Sequence, residues 1–347
     1  MNYINKTITL AALLPIFGHS LLRVGKWLAL LVPLAYSTFL PVQAQDFPTA
    51  PIRIIIPTAP GGLNDPIARF LAAHFQKVWG QPAIVEHRSG AGGTLGTHLV
   101  VKALADGHTL LLGNIGPLVF YPALTPSTPY VVKRDLIAVG SLTKFTNVLV
   151  VNPNLPVSNL AELIQLAKLK SGALNFASSG IGQSMHLAGE LFNRATGVQI
   201  THVAYKGTGP ALTDLIGGQV QMFFGNLPST VPLIKSGQLR AVAVTSSQRQ
   251  LSLPDVPTVI ESGLPGFVVN SWCGLFAPAG TPKFVVDRIN AEAAKAWATP
   301  QGQAVLAANY LDLANLSQID FSTFVEKEID TWSRFIKEAN IRSDQSH

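Results

Sequence analysis

Few residues in this 347-residue chain have the types and spacing that chemistry needs. His186 and Glu190 stand four apart in a run of helical periodicity, so they share one helix face and could in principle hold a metal ion. An isolated pair is a weak signal, and no metal site is expected. His186 reads instead as support for the serine-glycine turn just before it, or as a contact to a ligand. Lys206 could pair with an anion or stand exposed on a loop. Cys273 is the one cysteine, so no intrachain disulfide can form; with Trp272 before it and Gly-Leu-Phe after it, a buried thiol is expected. The chain has no G-x-S-x-G elbow, H-E-x-x-H, C-x-x-C or G-x-x-x-x-G-K-[ST]. Three turns begin G-x-G, at Gly90, Gly180 and Gly207, but Leu95, Met185 and Leu212 occupy the third glycine position of a dinucleotide fingerprint.

What remains is anion binding by backbone. Pro60-Gly61-Gly62 breaks the chain and leaves no side chain over its N–H groups. Asp65 followed by Pro66 reads as N-cap and first helical position, so a helix N-terminus would point past a bare turn.

The elements that must position these groups alternate. Ile52–Ile56 is a short β-branched run bounded by prolines, a core strand, and Ile67, Leu71, Phe75 and Val78 follow at helical spacing. Strands are expected at 83–86, 109–112, 137–142, 148–151, 174–177, 220–224 and 239–245, with a long apolar one within 267–277. Helices are expected from Ser158 as N-cap to about Leu169, after Ser184, at 284–298 and at 321–339. Strands alternating with helices mean α/β with largely parallel sheets. The polar pair Thr143-Lys144 is the expected exit from one domain, and 267–277 the return. That gives one lobe at 46–145 plus 272–347 and a second at 146–271, with 83–112 and 174–224 in separate sheets. Glycine-rich turns fall at the carboxyl ends of several strands, where open α/β sheets bind ligands.

The chain is 48% hydrophobic and 13% charged. Part of that apolar excess lies at the start. Residues 1–44 hold Lys6, Arg23 and Lys26 but no acidic residue, then an apolar run from Trp27 to Phe39 and Val42-Gln43-Ala44. This is the pattern of a secretory signal peptide cut after Ala44. Without those three basic residues the formal charge falls from +6 to +3, with no basic cluster to serve nucleic acid.

Several stretches carry a resemblance. I-R-I-I-I-P-T-A-P-G-G-L-N-D (52–65), V-E-H-R-S-G-A-G-G-T-L-G (85–96), D-G-H-T-L-L (106–111), S-S-G-I-G-Q-S-M-H-L-A-G-E-L-F (178–192), H-V-A-Y-K-G-T-G-P-A-L (202–212), L-P-D-V-P-T-V-I-E-S-G-L-P-G-F (253–267) and W-C-G-L-F-A-P-A-G-T-P (272–282) occur in family order over about 46–340. The chain resembles the Bug family, the TctC-like periplasmic solute receptors of tripartite tricarboxylate transporters. The resemblance implies a two-lobed Venus-flytrap fold of the type II-like periplasmic-binding-protein class. It implies a small carboxylate held between the lobes without catalysis or cofactor, export to the periplasm, a monomer, and membrane subunits of a transporter as partner. Contacts would come from Thr58, Pro60, Gly61, Gly62, Asp65 and Asn114 on one wall. Ser179, Gly180, Gln183, Ser184, His186, Tyr205 and Lys206 would form the other. The chain departs from the family pattern at Ser89 (usually proline), His108 (usually tyrosine), Val131 (usually aspartate) and Asn114-Ile115-Gly116, and the last two departures flank the expected site. Two other readings stay open: a signalling receptor docking on a sensor domain without transport, and a secreted hydrolase or lyase using His186 or Lys206.

Overall fold

The computed structural model describes residues 46–338 and 341. The leader expected at 1–44 lies outside the described residues. The account below concerns the described residues of the compact unit that begins at Pro48.

Two copies of one arrangement organise the chain. In the first, β1 (Ile52–Ile56), α1 (Asn64–Trp79), β2 (Ala83–His87), α2 (Thr94–Val101) and β3 (Thr109–Asn114) alternate, and β1 lies between β2 and β3 in parallel. In the second, β5 (Asn175–Ser178), α4 (Ser184–Thr196), β6 (Thr201–Ala204), α5 (Thr208–Ile216) and β7 (Met222–Asn226) do the same, with β5 between β6 and β7. Two long strands join them. β4 (Leu136–Val151) precedes the second copy together with α3 (Leu160–Leu169). β9 (Asn270–Pro278) follows α6 (Leu227–Lys235) and β8 (Arg240–Val244). The chain ends with α7 (Lys283–Ala298), α8 (Pro300–Ala308), the two-residue β10 (Asp312–Leu313) and α9 (Gln318–Glu338).

Separate sheets were expected for 83–112 and 174–224. The strands of 83–112 do pair within one sheet and those of 174–224 within another, but β4 belongs to both, so all lie on one hydrogen-bonded path, β2-β1-β3-β9-β4-β7-β5-β6, with β8 and β10 also on β4. The reason is that β4 does not break at Thr143-Lys144. Its residues from Leu136 to Thr146 pair antiparallel with β9, and those from Asn147 to Val151 pair with β7 and β8. A polar pair inside a strand is tolerated because side chains alternate between faces. Thr143 is buried with its hydroxyl 3.1 Å from Cys273 Sγ, while Lys144 points to solvent. The thiol is buried as expected, and burial pushes its pKa up to about 11.

The second half buries both faces of its sheet, as parallel sheets must. Leu149, Val151, Phe176 and Phe224 enter one core cluster; Val148, Val150, Ala177 and Phe223, their alternate neighbours, enter another. In the first half Ile55, Leu111, Phe276 and Trp272 pack under Phe120 and Phe321, and Trp272 meets the Phe321 ring edge-on at 5.7 Å. Around α1 the expected stripe holds at Ile67, Leu71 and Phe75, all fully buried, but Val78 is 48% exposed. The Pro-rich stretch before Arg134 coils into short helical turns at Gly116–Phe120 and Tyr121–Leu124.

Candidate functional site

A cavity of about 440 Å³ opens where the carboxyl ends of the parallel strands from both halves converge. The loops after β1, β2, β3, β5, β6 and β7 all reach it, as open α/β sheets lead one to expect. Its size suits a small organic molecule.

Five helices start at this cavity. Their N-cap residues, Leu63 (α1), Gly93 (α2), Gln183 (α4), Gly207 (α5) and Asn226 (α6), all line it, and none of the five makes a side-chain capping bond. Away from the cavity α7 also lacks a side-chain cap, at Pro282, but two other helices have one. Asn159 caps α3 by accepting from Glu162 N, and Thr299 caps α8 by accepting from Gly302 N. The first-turn N–H groups of a helix need acceptors, and each helix end carries roughly half a positive charge. Five such ends left without side-chain caps around one cavity form a seat for negative charge. Lys206 is the one charged side chain among the described residues lining it, and it reaches in from an exposed position.

Of the residues expected at the site, Thr58, Gly62, Asn114, Ser179, Gly180, Gln183, Ser184, Tyr205 and Lys206 line the cavity. Pro60, Gly61, Asp65 and His186 do not. Asp65 is not the N-cap: α1 begins at Asn64, one residue earlier, which puts Asp65 in its first turn. From there its carboxylate turns back on the preceding loop, accepting from Gly61 N at 2.6 Å and meeting His87 Nε2 at 2.7 Å. The Gly61 N–H is therefore taken up by Asp65 and is not presented to the cavity. Gly61 itself has φ +78°, where a side chain would be strained, while a Cβ on Gly62 would find only Ala59 O at 3.7 Å. Asp65→Ala should thus act on stability. It removes two bonds to a charged acceptor at a largely buried site, and we expect a loss of about 1–3 kcal/mol in denaturant unfolding, with the cavity chemistry retained. Ser158 is likewise not the cap of α3. Asn159 is, and Ser158 N donates to Glu162 Oε2 to complete a reciprocal box.

His186 is 3% exposed and sits behind the 178–184 turn. Its Nδ1 accepts from Gly182 N at 3.2 Å, which fixes that nitrogen as unprotonated. Its ring stacks on His202 at 4.1 Å, and His202 Nε2 lies 2.6 Å from Ser178 Oγ, which in turn accepts from Gly180 N. Burial holds both imidazoles well below their ordinary range, to about 3 for His186 and about 4 for His202, with the neighbouring His202 adding to the effect on His186. The pair is a neutral prop for the turn. Glu190, 3.9 Å from His186 Nε2, is pushed up by its own burial, and no group of three or more metal-ligating side chains occurs among the described residues.

The turns from the two halves touch across the cavity. Gln183 Nε2 donates to Gly92 O at 3.2 Å, and its Oε1 lies 2.7 Å from where a Cβ on Gly116 would stand. Tyr121 lies between Gly92 and Gly182, both with positive φ. Residues that sequence reasoning did not place in the site include Ser89, Gly93, Phe145, Thr208, Asn226 and Ser271. Gly93 and Thr208 sit in glycine-rich turns already recognised. Phe145, Asn226 and Ser271 reach the cavity only because β4, β7 and β9 meet there, which no local pattern announces.

Residues 67–341 match the model of the tripartite tricarboxylate transporter family receptor. Protein BugT of Bordetella pertussis is 40% identical over 306 residues, covering 87% of this chain and 93% of BugT. Among solved structures, a Rhodopseudomonas palustris protein with adipate, Rpa4515, is 34% identical with a TM-score of 0.82, covering 86% of this chain and 99% of that one. MatC from the same organism, with bound malate, is 34% identical with a TM-score of 0.79, covering 84% and 100%. Two-lobed periplasmic binding proteins thus share this α/β fold, and the chain belongs to the Bug, TctC-like family of tripartite tricarboxylate transporter receptors.

Proposed function

We propose that this protein binds a small organic carboxylate in the cavity and hands it to the membrane subunits of a tripartite tricarboxylate-type transporter, without chemical change. The observation that carries this reading is the set of five helix N-termini without side-chain caps around a cavity that holds one lysine and no acidic side chain among its described lining. A carboxylate there gains N–H donors and helix dipoles, each dipole contributing roughly 0.3–1 kcal/mol and more when water is excluded. Relatives with adipate and malate support the ligand class. The family supports the transporter and the periplasmic setting, and export by residues 1–44 belongs to the same reading. No helix among the described residues is long and apolar enough to cross a membrane.

The lobes in this reading are 46–145 plus 272–347 and 146–271. Support comes from β4, whose partner changes from β9 to β7 and β8 between Thr146 and Asn147. Thermal-shift titration of the purified protein against mono- and dicarboxylates tests the ligand class. An acid at about 100 times its dissociation constant should stabilise the protein by roughly 2.7 kcal/mol. Lys206→Met should weaken that acid several-fold, with a shallower salt dependence. If cationic or neutral solutes shift the midpoint and carboxylates do not, the reading is wrong.

A further inference from the structure

One pair of side chains beside the cavity has no use in the site described so far. Asn147 is fully buried, and neither its Oδ1 nor its Nδ2 has a hydrogen-bond partner. Asn226 lines the cavity, and its Oδ1 is likewise buried and unpartnered. The two residues are direct cross-strand partners on β4 and β7. That register places their Cβ atoms about 4.5–5.5 Å apart on one face of the sheet. Asn147 does not itself line the cavity, but it shares a strand face with residues that do. Phe145, two residues before Asn147 on β4, lines the cavity, as does Ser271, the partner of Phe145 on β9. Alternation sends Thr146 the other way, and there every group is satisfied. Its hydroxyl lies 3.2 Å from Thr245 Oγ1, which also donates to Val269 O and accepts from Asn147 N. Polar pairing is thus complete on the far side of the strand crossing and missing only on the cavity side.

Buried carboxamides without partners are costly, and a pair of them beside a binding cavity calls for a ligand group. The three unpartnered atoms comprise two acceptors and one donor, so the complementary group must donate as well as accept. A carboxylate offers lone pairs only and would face two carbonyl oxygens. A hydroxyl does both from one atom. We infer that Asn147 and Asn226 form a specificity subsite that takes an uncharged hydroxyl of the ligand, so that the preferred ligand is a hydroxycarboxylate whose charged end rests on the helix N-termini. This inference rests on the carboxylate reading above.

Isothermal titration of the purified protein with matched pairs tests it: malate with succinate, citrate with tricarballylate, 3-hydroxybutyrate with butyrate. A site built to hydrogen-bond a hydroxyl discriminates strongly against the analogue lacking it. At least one hydroxy acid should therefore bind tenfold or more tighter than its partner. Asn147→Leu and Asn226→Ala should each cut that ratio below threefold, through weaker binding of the hydroxy acid. Ligand-free melting confirms that each variant is folded, and Asn226→Ala keeps the test alive should Asn147→Leu not fold. Equal affinities in every pair, or a folded variant that retains the full ratio, would overturn the subsite. If carboxylates bind without regard to the hydroxyl, only the subsite fails; if no carboxylate binds at all, the proposed function fails with it.

Discussion

Gly92→Ala should abolish high-affinity binding while leaving the protein folded. A Cβ at this position would stand 2.6 Å from Tyr121 Cε2 and 2.9 Å from the Ile181 carbonyl oxygen, closer than such atoms approach. Tyr121 belongs to the first half and Ile181 to the second, so the added methyl separates the two turns that touch across the cavity. The Gln183–Gly92 bond would be lost with them. The backbone adds its own cost, because φ is +63° and an alanine there is disfavoured by roughly 1–2 kcal/mol. We expect an affinity loss of at least 100-fold by calorimetry, with ligand-free melting lowered by only a few degrees. Adding Tyr121→Ala should restore part of the affinity, since the ring is one of the two obstacles. An unchanged dissociation constant in Gly92→Ala would show that binding does not need the turns to meet.

Acid should weaken the protein through the histidine pair. Folded His186 and His202 titrate near 3 and 4, against about 6.5 in the unfolded chain. Between those values the unfolded state binds more protons, so stability is fully present above about pH 6.5 and is lost as pH falls toward 4. At pH 5 this amounts to about 2 kcal/mol per histidine, or several degrees of melting temperature. Folded His186 stays neutral until pH approaches 3, so its Nδ1 keeps accepting from Gly182 and ligand affinity of the folded protein should hold over the same range. Buried Glu190 and Glu328 have raised pKa values and act in the opposite sense as they ionise. The informative quantity is therefore the difference from a variant. His202→Gln keeps a side chain able to reach Ser178 but does not titrate, and its melting temperature should vary less between pH 7 and 5 than the parent's. Parallel curves would remove the histidines from the account.

The alternation of strands and helices could be read from the chain because each element carries its own period and punctuation. Ile52–Ile56 needs no neighbour to declare itself a buried strand, and Gly80, just past α1, closes that helix with φ +70° as a C-terminal glycine should. What could not be read depended on distant partners. Thr143-Lys144 looks like a break until Cys273 is brought beside Thr143. Asp65 looks like a cap until His87, from the end of β2, offers a competing bond. His186 shows its spacing to Glu190 in the sequence, but its depth and its stack on His202 arise from packing. The nine expected residues that do line the cavity share a property: all lie in or next to turns that follow strands, where fold class alone predicts a ligand. Asn226 also follows a strand, yet nothing local distinguishes it from an ordinary helix start.

The strand order has a consequence for how the molecule comes together. β3 reads Thr-Leu-Leu-Leu-Gly-Asn and is buried along its whole length, yet its second neighbour, β9, lies about 160 residues further along the chain. Until residues 270–278 arrive, the first half ends in an apolar strand with one open edge, the kind of edge that recruits other chains. Pairings this remote in sequence form slowly, because a long loop must close before they contribute. Completion of the first half is thereby tied to the arrival of the last quarter of the chain, and any product ending before Asn270 carries a permanent site for aggregation.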